Sequence, residues 1–555
     1  MVLFATAFLL RAWGADFGLF NGDERVNDSA RFLAGHLVPT QHFYPPFFNY
    51  LNGAAFIGLF LFGLSVDMWS TTAEFRQAYF SDPTPFYLTA RYVTAAIGAL
   101  AAPLFFSASR RLGLGTGLAV ISASFAAIFP IAVFMAHIAK GDTGLAVFCL
   151  AVVWTFFMRL ESNHPTRWNI IIGLSVALAL GFKQSALLFL GPLALAMIVV
   201  LAGREGNVSA LKSFGIALLF VVIAWPIMNI GILLDIDGFW AFQRIQAVMS
   251  VRDQDGFGAG LPITMQIFGD AVIGLNPAIL AIALIVPVWA ASGACRLRLR
   301  DAIIGVWIAN AVSTIVISLL VGTRQPEQLF LPNLYVFLLL AVVVLMDMLR
   351  VYVRWPRAVV ALVSLVGFAI MLAGAKNVIG QARATPIAQD LATYLLEHHS
   401  DARIQTGVVL PVPQTVAAQR MELDRLERLG RKYNIDMPDI APERIIVDDA
   451  QNALFWVHAP FVMSGLEGDG AIDQDFPIEP HAWPVQPEEW NLQRWRDAGF
   501  DVFAVNHFDF LVAISRSSYI RTFHTDLQEH CKTVQSYDAR KPLFLEFDVR
   551  VFECP

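Results

Sequence analysis

Twelve apolar runs limit what this chain can be more than any other feature. They lie near residues 2–13, 50–66, 88–108, 115–138, 143–158, 168–181, 184–203, 212–234, 267–290, 301–321, 327–349 and 357–375. A helix crosses the hydrocarbon core in about 20 residues, and a segment in lipid must satisfy its own backbone. The 555 residues are 56% hydrophobic and 15% charged, against about 25% charged in a soluble domain. This is a polytopic helical membrane protein with an aqueous part. A net charge of −6 gives no reason to expect nucleic acid as a partner.

Arginine placement sets the count of spans. Arg110-Arg111, Arg159 with Arg167, Arg204 with Lys212, Arg296-Arg298-Arg300, and Arg350-Arg354-Arg357 form five basic clusters. Each follows every second span if 88–108 is the second crossing, and all five are then cytoplasmic, as the positive-inside rule requires. Counting 50–66 as a full crossing would put all five outside. The run 50–66 is therefore read as a juxtamembrane helix in a long first outer loop, 14–87. That reading predicts about eleven transmembrane helices, with the N-terminus inside and the C-terminus outside. Only ten residues precede Arg11, without a basic flank, so the first span is short and tilted or the true start lies upstream. No basic n-region or small-residue cleavage site marks a signal peptide.

Composition changes after the last run. Residues 1–375 form the membrane domain, and 376–555 an extracytoplasmic domain of ordinary size. Its patterning predicts helices at Ile387–His398 and Gln414–Lys432. It predicts strands at Ile404–Leu410, Ala453–His458, Val502–Val505 and Leu543–Val551, an α/β or α+β fold. Residues 466–490, rich in Asp, Glu and Pro, read as a loop. Cys531 and Cys554 either pair, if that domain faces an oxidising compartment, or stand as two thiols. Cys149 and Cys295 lie in or beside apolar runs and read as small hydrophobes.

The topology gathers charge. Asp23, Glu24, Lys140, Asp142, Lys183, Arg324 and Glu327 all fall at outer ends of spans. Charges at a membrane boundary mark substrate or ion paths. Carboxylates that can activate an acceptor, beside cations that can stabilise a leaving phosphate, suit transfer from a lipid-linked phosphosugar. For single residues simpler roles compete. Asp142 before Thr143 suits the start of a helix, Lys183 suits snorkelling, and Arg324 suits a surface pair with Glu327. His42 has no partner by spacing and reads as structural or acceptor-lining. Two carboxylates do not make a metal site, so a divalent metal is allowed by this acid set and not required by it.

The order of pieces carries a resemblance: Leu10-Arg11, Phe17-Gly18-Leu19, Asp23-Glu24, then His42-Phe43-Tyr44-Pro45-Pro46, followed by Ala90-Arg91-Tyr92 and Arg110-Arg111-Leu112-Gly113. It resembles the C-type membrane glycosyltransferases. Nearest are the protein O-mannosyltransferases (glycosyltransferase family 39) and their bacterial relatives, over roughly residues 8–350. The resemblance implies a polyprenyl-phosphate sugar donor, an inverting transfer of one hexose such as mannose, and Asp23 as general base. An ordinary Asp, with a pKa of about 3.9, is a weak base until burial raises it. The resemblance also implies that Glu24 and Asp142 shape the site and that Lys183 and Arg324 face the phosphate, with Lys140, His42 and Tyr44 beside them. Phe330-Leu331 stands where the family has an arginine-tyrosine pattern, so the match at Arg324 is partial. The acceptor is a hydroxyl of a protein, glycolipid or polysaccharide, and the location an inner (plasma) membrane.

Two rivals differ in class. A transporter or lipid flippase places charges near the bilayer midplane on broken helices, often in repeated halves; here they fall at one face without an evident repeat. A non-catalytic relative of the fold is separable only by activity. Walker A, GxGxxG after a strand, HExxH and GxSxG signatures are not found, which disfavours a nucleotide-sugar enzyme.

Overall fold

The computed structural model describes residues 1–16, 24, 26–40, 42–81, 83–251, 277–320, 327–385, 387–399, 402, 404–406, 431, 455–457, 491–497, 499–506, 518–538 and 548–555. The chain divides into two compact units. The first holds Met1–Ala15, Glu24–Ala55 and Leu88–Gly380; the second holds Asp16–Asp23, Phe56–Tyr87 and Gln381–Pro555.

Helices account for nearly all of the membrane part. In chain order they are α1 (Val2–Ala12), α2 (Val26–Leu33), α3 (Phe47–Ser65), α4 (Thr72–Ser81), α5 (Thr84–Ala99), α6 (Ala101–Arg111), α7 (Thr116–Ala127) and α8 (Pro130–Ala136). They continue as α9 (Gly141–Leu160), α10 (Pro165–Phe182), α11 (Ala186–Glu205), α12 (Asn207–Met228), α13 (Ile230–Leu234) and α14 (Ile236–Val251). The last of this part are α15 (Pro277–Ala291), α16 (Arg300–Leu320), α17 (Leu331–Val351) and α18 (Arg354–Ala382). Among the described residues nine helices are long and apolar enough to cross a membrane, and ten if the bent pair α7–α8 is one span. The apolar helices α1 and α15 are shorter; the start of the 267–290 run lies outside the described residues. The chain is thus an integral, multi-pass membrane protein. One difference from the sequence reading concerns α3: it is itself long and apolar enough to span, whereas charge placement makes the 50–66 run juxtamembrane.

The bend of 56° between α7 and α8 has a local cause. Pro130 starts α8, lacks an amide hydrogen and cannot continue the preceding ladder. The break leaves late carbonyls of α7 without helical partners. Arg11 from α1, fully buried, supplies them. Its Nη1 donates to Ala127 O at 3.0 Å and to Ala7 O at 3.0 Å, and its Nη2 to Ala126 O at 2.9 Å.

Basic side chains mark one end of the bundle. Arg159, at the end of α9, pairs with Glu205 at the end of α11 at 2.6 Å and also reaches Asn169 and Ser213. Glu161 joins Arg111 at 3.4 Å and Arg298 at 3.7 Å, while Arg204 pairs with Asp301. Arg350 donates to Gly113 O and to the buried Asp347. All five clusters named above contribute to these contacts.

The described part of the C-terminal region carries a five-stranded sheet in the order β2-β1-β3-β5-β4. Its strands are β1 (Ile404–Thr406), β2 (Phe455–Val457), β3 (Val502–Asn506), β4 (Lys532–Tyr537) and β5 (Val549–Glu553). β1 runs parallel to β2 and β3, and β5 antiparallel to β3 and β4. Three helices accompany it, α19 (Ile387–His398), α20 (Leu492–Asp497) and α21 (Ser518–His530). Leu391, Leu395, Ile404, Val502 and Val551 form one core; Trp495, Phe503, Phe523 and Phe552 form another. The expected helix over Gln414–Lys432 and the loop over 466–490 lie, but for Arg431, outside the described residues.

Cys531 and Cys554 form a disulfide joining the start of β4 to the end of β5. A loop of this length is worth about 3 kcal/mol. Cys149 and Cys295 are free and buried. In protein isolated without reductant and then denatured, alkylation is expected to tag two of the four cysteines, and all four after reduction. Mass spectrometry showing four tags without reduction would overturn the disulfide.

Candidate functional site

The site is built where α9 begins and α10 ends. Two glycines allow this approach. A Cβ on Gly141 would stand 2.7 Å from Phe182 O, and one on Gly144 would stand 2.3 Å from the Phe182 ring. The close packing puts Asp142, in the first turn of α9, against Lys183, the residue that ends α10. Lys183 Nζ donates to Asp142 Oδ1 at 2.7 Å, and Lys140 Nζ stands 4.0 Å from Oδ2.

Asp142 is fully buried. The positive end of α9 favours its carboxylate, yet Oδ2 has no hydrogen-bond partner among the described residues. Two lysines thus stand against one buried carboxylate. Lys183 also lies over the Tyr44 ring, 5.1 Å from its centroid, a cation–π distance. Arg159 and Pro165 stand at the far ends of these two helices, so this cluster and the basic belt lie at opposite ends of the bundle.

Glu24 joins the same corner. Its two oxygens take a fork from Arg91 at 2.8 and 2.7 Å, and Oε1 also accepts the Ala139 amide at 2.7 Å. Arg91 Nη1 donates to Ala15 O at 2.9 Å. The pair is almost fully buried. Bidentate geometry of this kind is strong and directional. Its action here is to tie the segment around Glu24 to α5 and to the turn before Lys140. In that turn His137, also fully buried, contacts Val133 O at 2.7 Å and Trp13 O at 3.0 Å.

His42 has a partner that spacing did not reveal. Its Nε2 lies 2.7 Å from Asp235 Oδ2, between α13 and α14. The hydrogen bond from His42 holds the Asp235 carboxyl below its ordinary range, with a further contribution from the Gly238 amide and against some loss of hydration. An ionised Asp235 accepts, so Nε2 carries the proton. Nδ1 is left buried with no hydrogen-bond partner among the described residues, at a cost of about 1–3 kcal/mol. The ring meets Phe239 edge-on at 5.9 Å, Phe43 meets Phe242, and Gln243 donates to His42 O.

Of the seven charges expected together, Lys140, Asp142 and Lys183 do meet, and Glu24 holds the Ala139 amide next to Lys140. Asp23 and Arg324 lie outside the described residues, as does the Glu327 side chain. Among the described residues no group of three or more His, Cys, Asp or Glu could hold a metal ion. Sequence reasoning missed Asp235, although it follows the 212–234 run and so falls at the same outer ends. An apolar cavity of about 230 Å³ runs between α9, α10, α11 and α12, from Leu180 and Leu187 to Asn169 and Ser213.

Residues 87–228 match the family described as dolichyl-phosphate-mannose-protein mannosyltransferase. This segment holds Arg91, Lys140, Asp142 and Lys183. The resemblance read from the N-terminal residues is borne out over this stretch. No curated protein matches the chain. Among solved structures, the S. cerevisiae protein O-mannosyltransferase Pmt1-Pmt2 complex bound to the sugar donor is 18% identical. That match covers 43% of this chain and 34% of that one, with a TM-score of 0.31, so the chain spans about a third of that protein's length. ArnT from Cupriavidus metallidurans bound to undecaprenyl phosphate is 13% identical over 99% and 97% of the two chains, TM-score 0.49. The Archaeoglobus fulgidus oligosaccharyltransferase is 13% identical over 94% and 71%, TM-score 0.48.

Removing one partner of a buried ion pair leaves a bare charge and costs about 3–5 kcal/mol. Glu24→Ala and Arg91→Ala are each expected to destabilise the detergent-solubilised protein by that order. The double variant should lose less than their sum. Thermal unfolding of the four proteins checks this; additive losses would mean that the pair does not act as a unit.

Proposed function

We propose that this protein moves one hexose, mannose by the family match, from a polyprenyl-phosphate carrier to a hydroxyl acceptor. The acceptor belongs to a protein, glycolipid or polysaccharide. The observation that carries the reading is the Lys140–Asp142–Lys183 cluster, a buried carboxylate with two cations, inside the segment that matches the mannosyltransferase family. Such a cluster suits a phosphate that gains charge as it leaves.

In this reading Asp23 removes the proton from the acceptor hydroxyl. The acceptor oxygen bonds the anomeric carbon in line, the carbon–phosphate oxygen bond breaks, and polyprenyl phosphate leaves with the electron pair, inverting the centre. Lys183, Lys140 and Arg324 face that phosphate. Asp142 keeps Lys183 in place, and Glu24 fixes the loop that carries Asp23. Tyr44 lies under the Lys183 ammonium and borders the sugar. The apolar cavity beside Leu180 and Leu187 suits one hydrocarbon chain. The basic belt is cytoplasmic by the positive-inside rule, which puts the acid–lysine cluster and the region from 376 onward on the outer side of an inner membrane.

Membranes carrying the protein are expected to release or transfer label from a polyprenyl-phosphate hexose. A positioned base contributes about 10²–10⁴-fold, so Asp23→Asn should lose at least 100-fold at equal expression. Lys183→Ala should fall comparably. Undiminished turnover in Asp23→Asn would remove Asp23 as the base, and no turnover by the wild type with any such donor would overturn the donor class.

A further inference from the structure

The buried Nδ1 of His42 is left without a partner by the contacts described above. The ring is buried, its Nε2 lies against Asp235, and Nδ1 has no hydrogen-bond partner among the described residues. Buried polar atoms in proteins nearly always have partners, and an exception points to a ligand or water that completes it. The surroundings suit one kind of ligand. Phe239 faces the ring, Phe43 packs on Phe242, and Tyr44 two residues on carries the Lys183 ammonium over its face. Consecutive Cα atoms are about 3.8 Å apart, so the Cα of His42 lies no more than about 8 Å from that of Tyr44, the residue under the Lys183 ammonium. Half-buried aromatic faces, a lone acceptor and a nearby cationic site together fit a hexosyl phosphate, whose hydroxyls are donors.

We propose that His42 Nδ1 accepts a hydrogen bond from one hydroxyl of the donor hexose, and that Asp235 acts as a positioning residue fixing the tautomer that leaves Nδ1 free to accept. The inference rests on the donor reading above and deepens it: His42 becomes a determinant of which sugar is taken. Asp235 stands on the far side of the ring and is substantially exposed, so its effect on the sugar passes through the imidazole. Among the described contacts of the ring, Asp235 is the charged group and Phe239 of α14 the other, while Gln243 of α14 holds the His42 carbonyl.

The test compares hexose donors lacking one hydroxyl each, on wild type, His42→Phe and Asp235→Ala. Binding is followed as thermal stabilisation by donor, and transfer as kcat/KM. A site that has lost a hydrogen bond to a buried group discriminates by roughly 10- to 100-fold. Wild type is expected to disfavour one deoxy donor by that factor against the full hexose. His42→Phe, which keeps the ring, should treat that deoxy donor and the full hexose alike while handling the remaining deoxy donors as wild type does. Asp235→Ala should show the same selective loss, which a general weakening of the fold would not produce. If wild type binds or turns over hexose donors and His42→Phe keeps the full pattern of discrimination, the His42 inference falls and the donor reading stands. If no hexose donor stabilises or is turned over by wild type, both fall. Should His42→Phe not fold, loss of selectivity in Asp235→Ala decides alone.

Discussion

A carboxylate out of water has to be neutralised, and much of the membrane part serves that need at Asp142. Its side chain is fully buried at the start of a spanning helix. The start of the helix and two lysines surround it, and both favour a carboxylate there. Those lysines come from different places: one from the turn ahead of α9, the other from the end of α10. Both arrive only because glycines at 141 and 144 let the two helices close on Phe182. A methyl group at either position would force a shift, and the ion pair would open with it. The chemistry proposed for the cluster is thus secured by packing, not by the charges alone.

The bundle has two ends of different character. At one, arginines pair across helix termini with Glu161, Glu205, Asp301 and Asp347 in a belt of contacts between neighbours. At the other, Glu24, Arg91 and Asp142 are deeply buried, and among the described residues Asp142 Oδ2 and His42 Nδ1 have no hydrogen-bond partner. A protein gains nothing in stability from such atoms.

Much of the architecture was legible because hydropathy and arginine placement report directly on lipid. The helix Ile387–His398 was legible too, since its Leu391 and Leu395 repeat at one face. Other features left weaker traces. The strand Lys532–Tyr537 lies at the sheet edge and is largely exposed, so it lacks the alternation that marks a half-buried strand. Asp142 and Lys183 were each visible as charges at span ends, but their pairing, across 41 residues, depends on helix contact. His42 and Asp235 are 193 residues apart. Counting acids at outer ends would have found Asp235, because it closes the 212–234 run, but would not have matched it to a histidine.

The break between α7 and α8 carries a consequence for how the chain is made. Carbonyls released at Ala126 and Ala127 are satisfied by a guanidinium that lies 115 and 116 residues earlier. In hydrocarbon a carbonyl without a donor is costly, and so is an arginine without acceptors. During synthesis Arg11 enters first and must wait in the membrane, or at its edge, until the bent segment emerges. Each is a poor guest in lipid by itself, and each supplies hydrogen bonds that the other lacks. The order of biogenesis is therefore written into the pair: the α7–α8 segment settles into its bend only when α1 is already there to receive it.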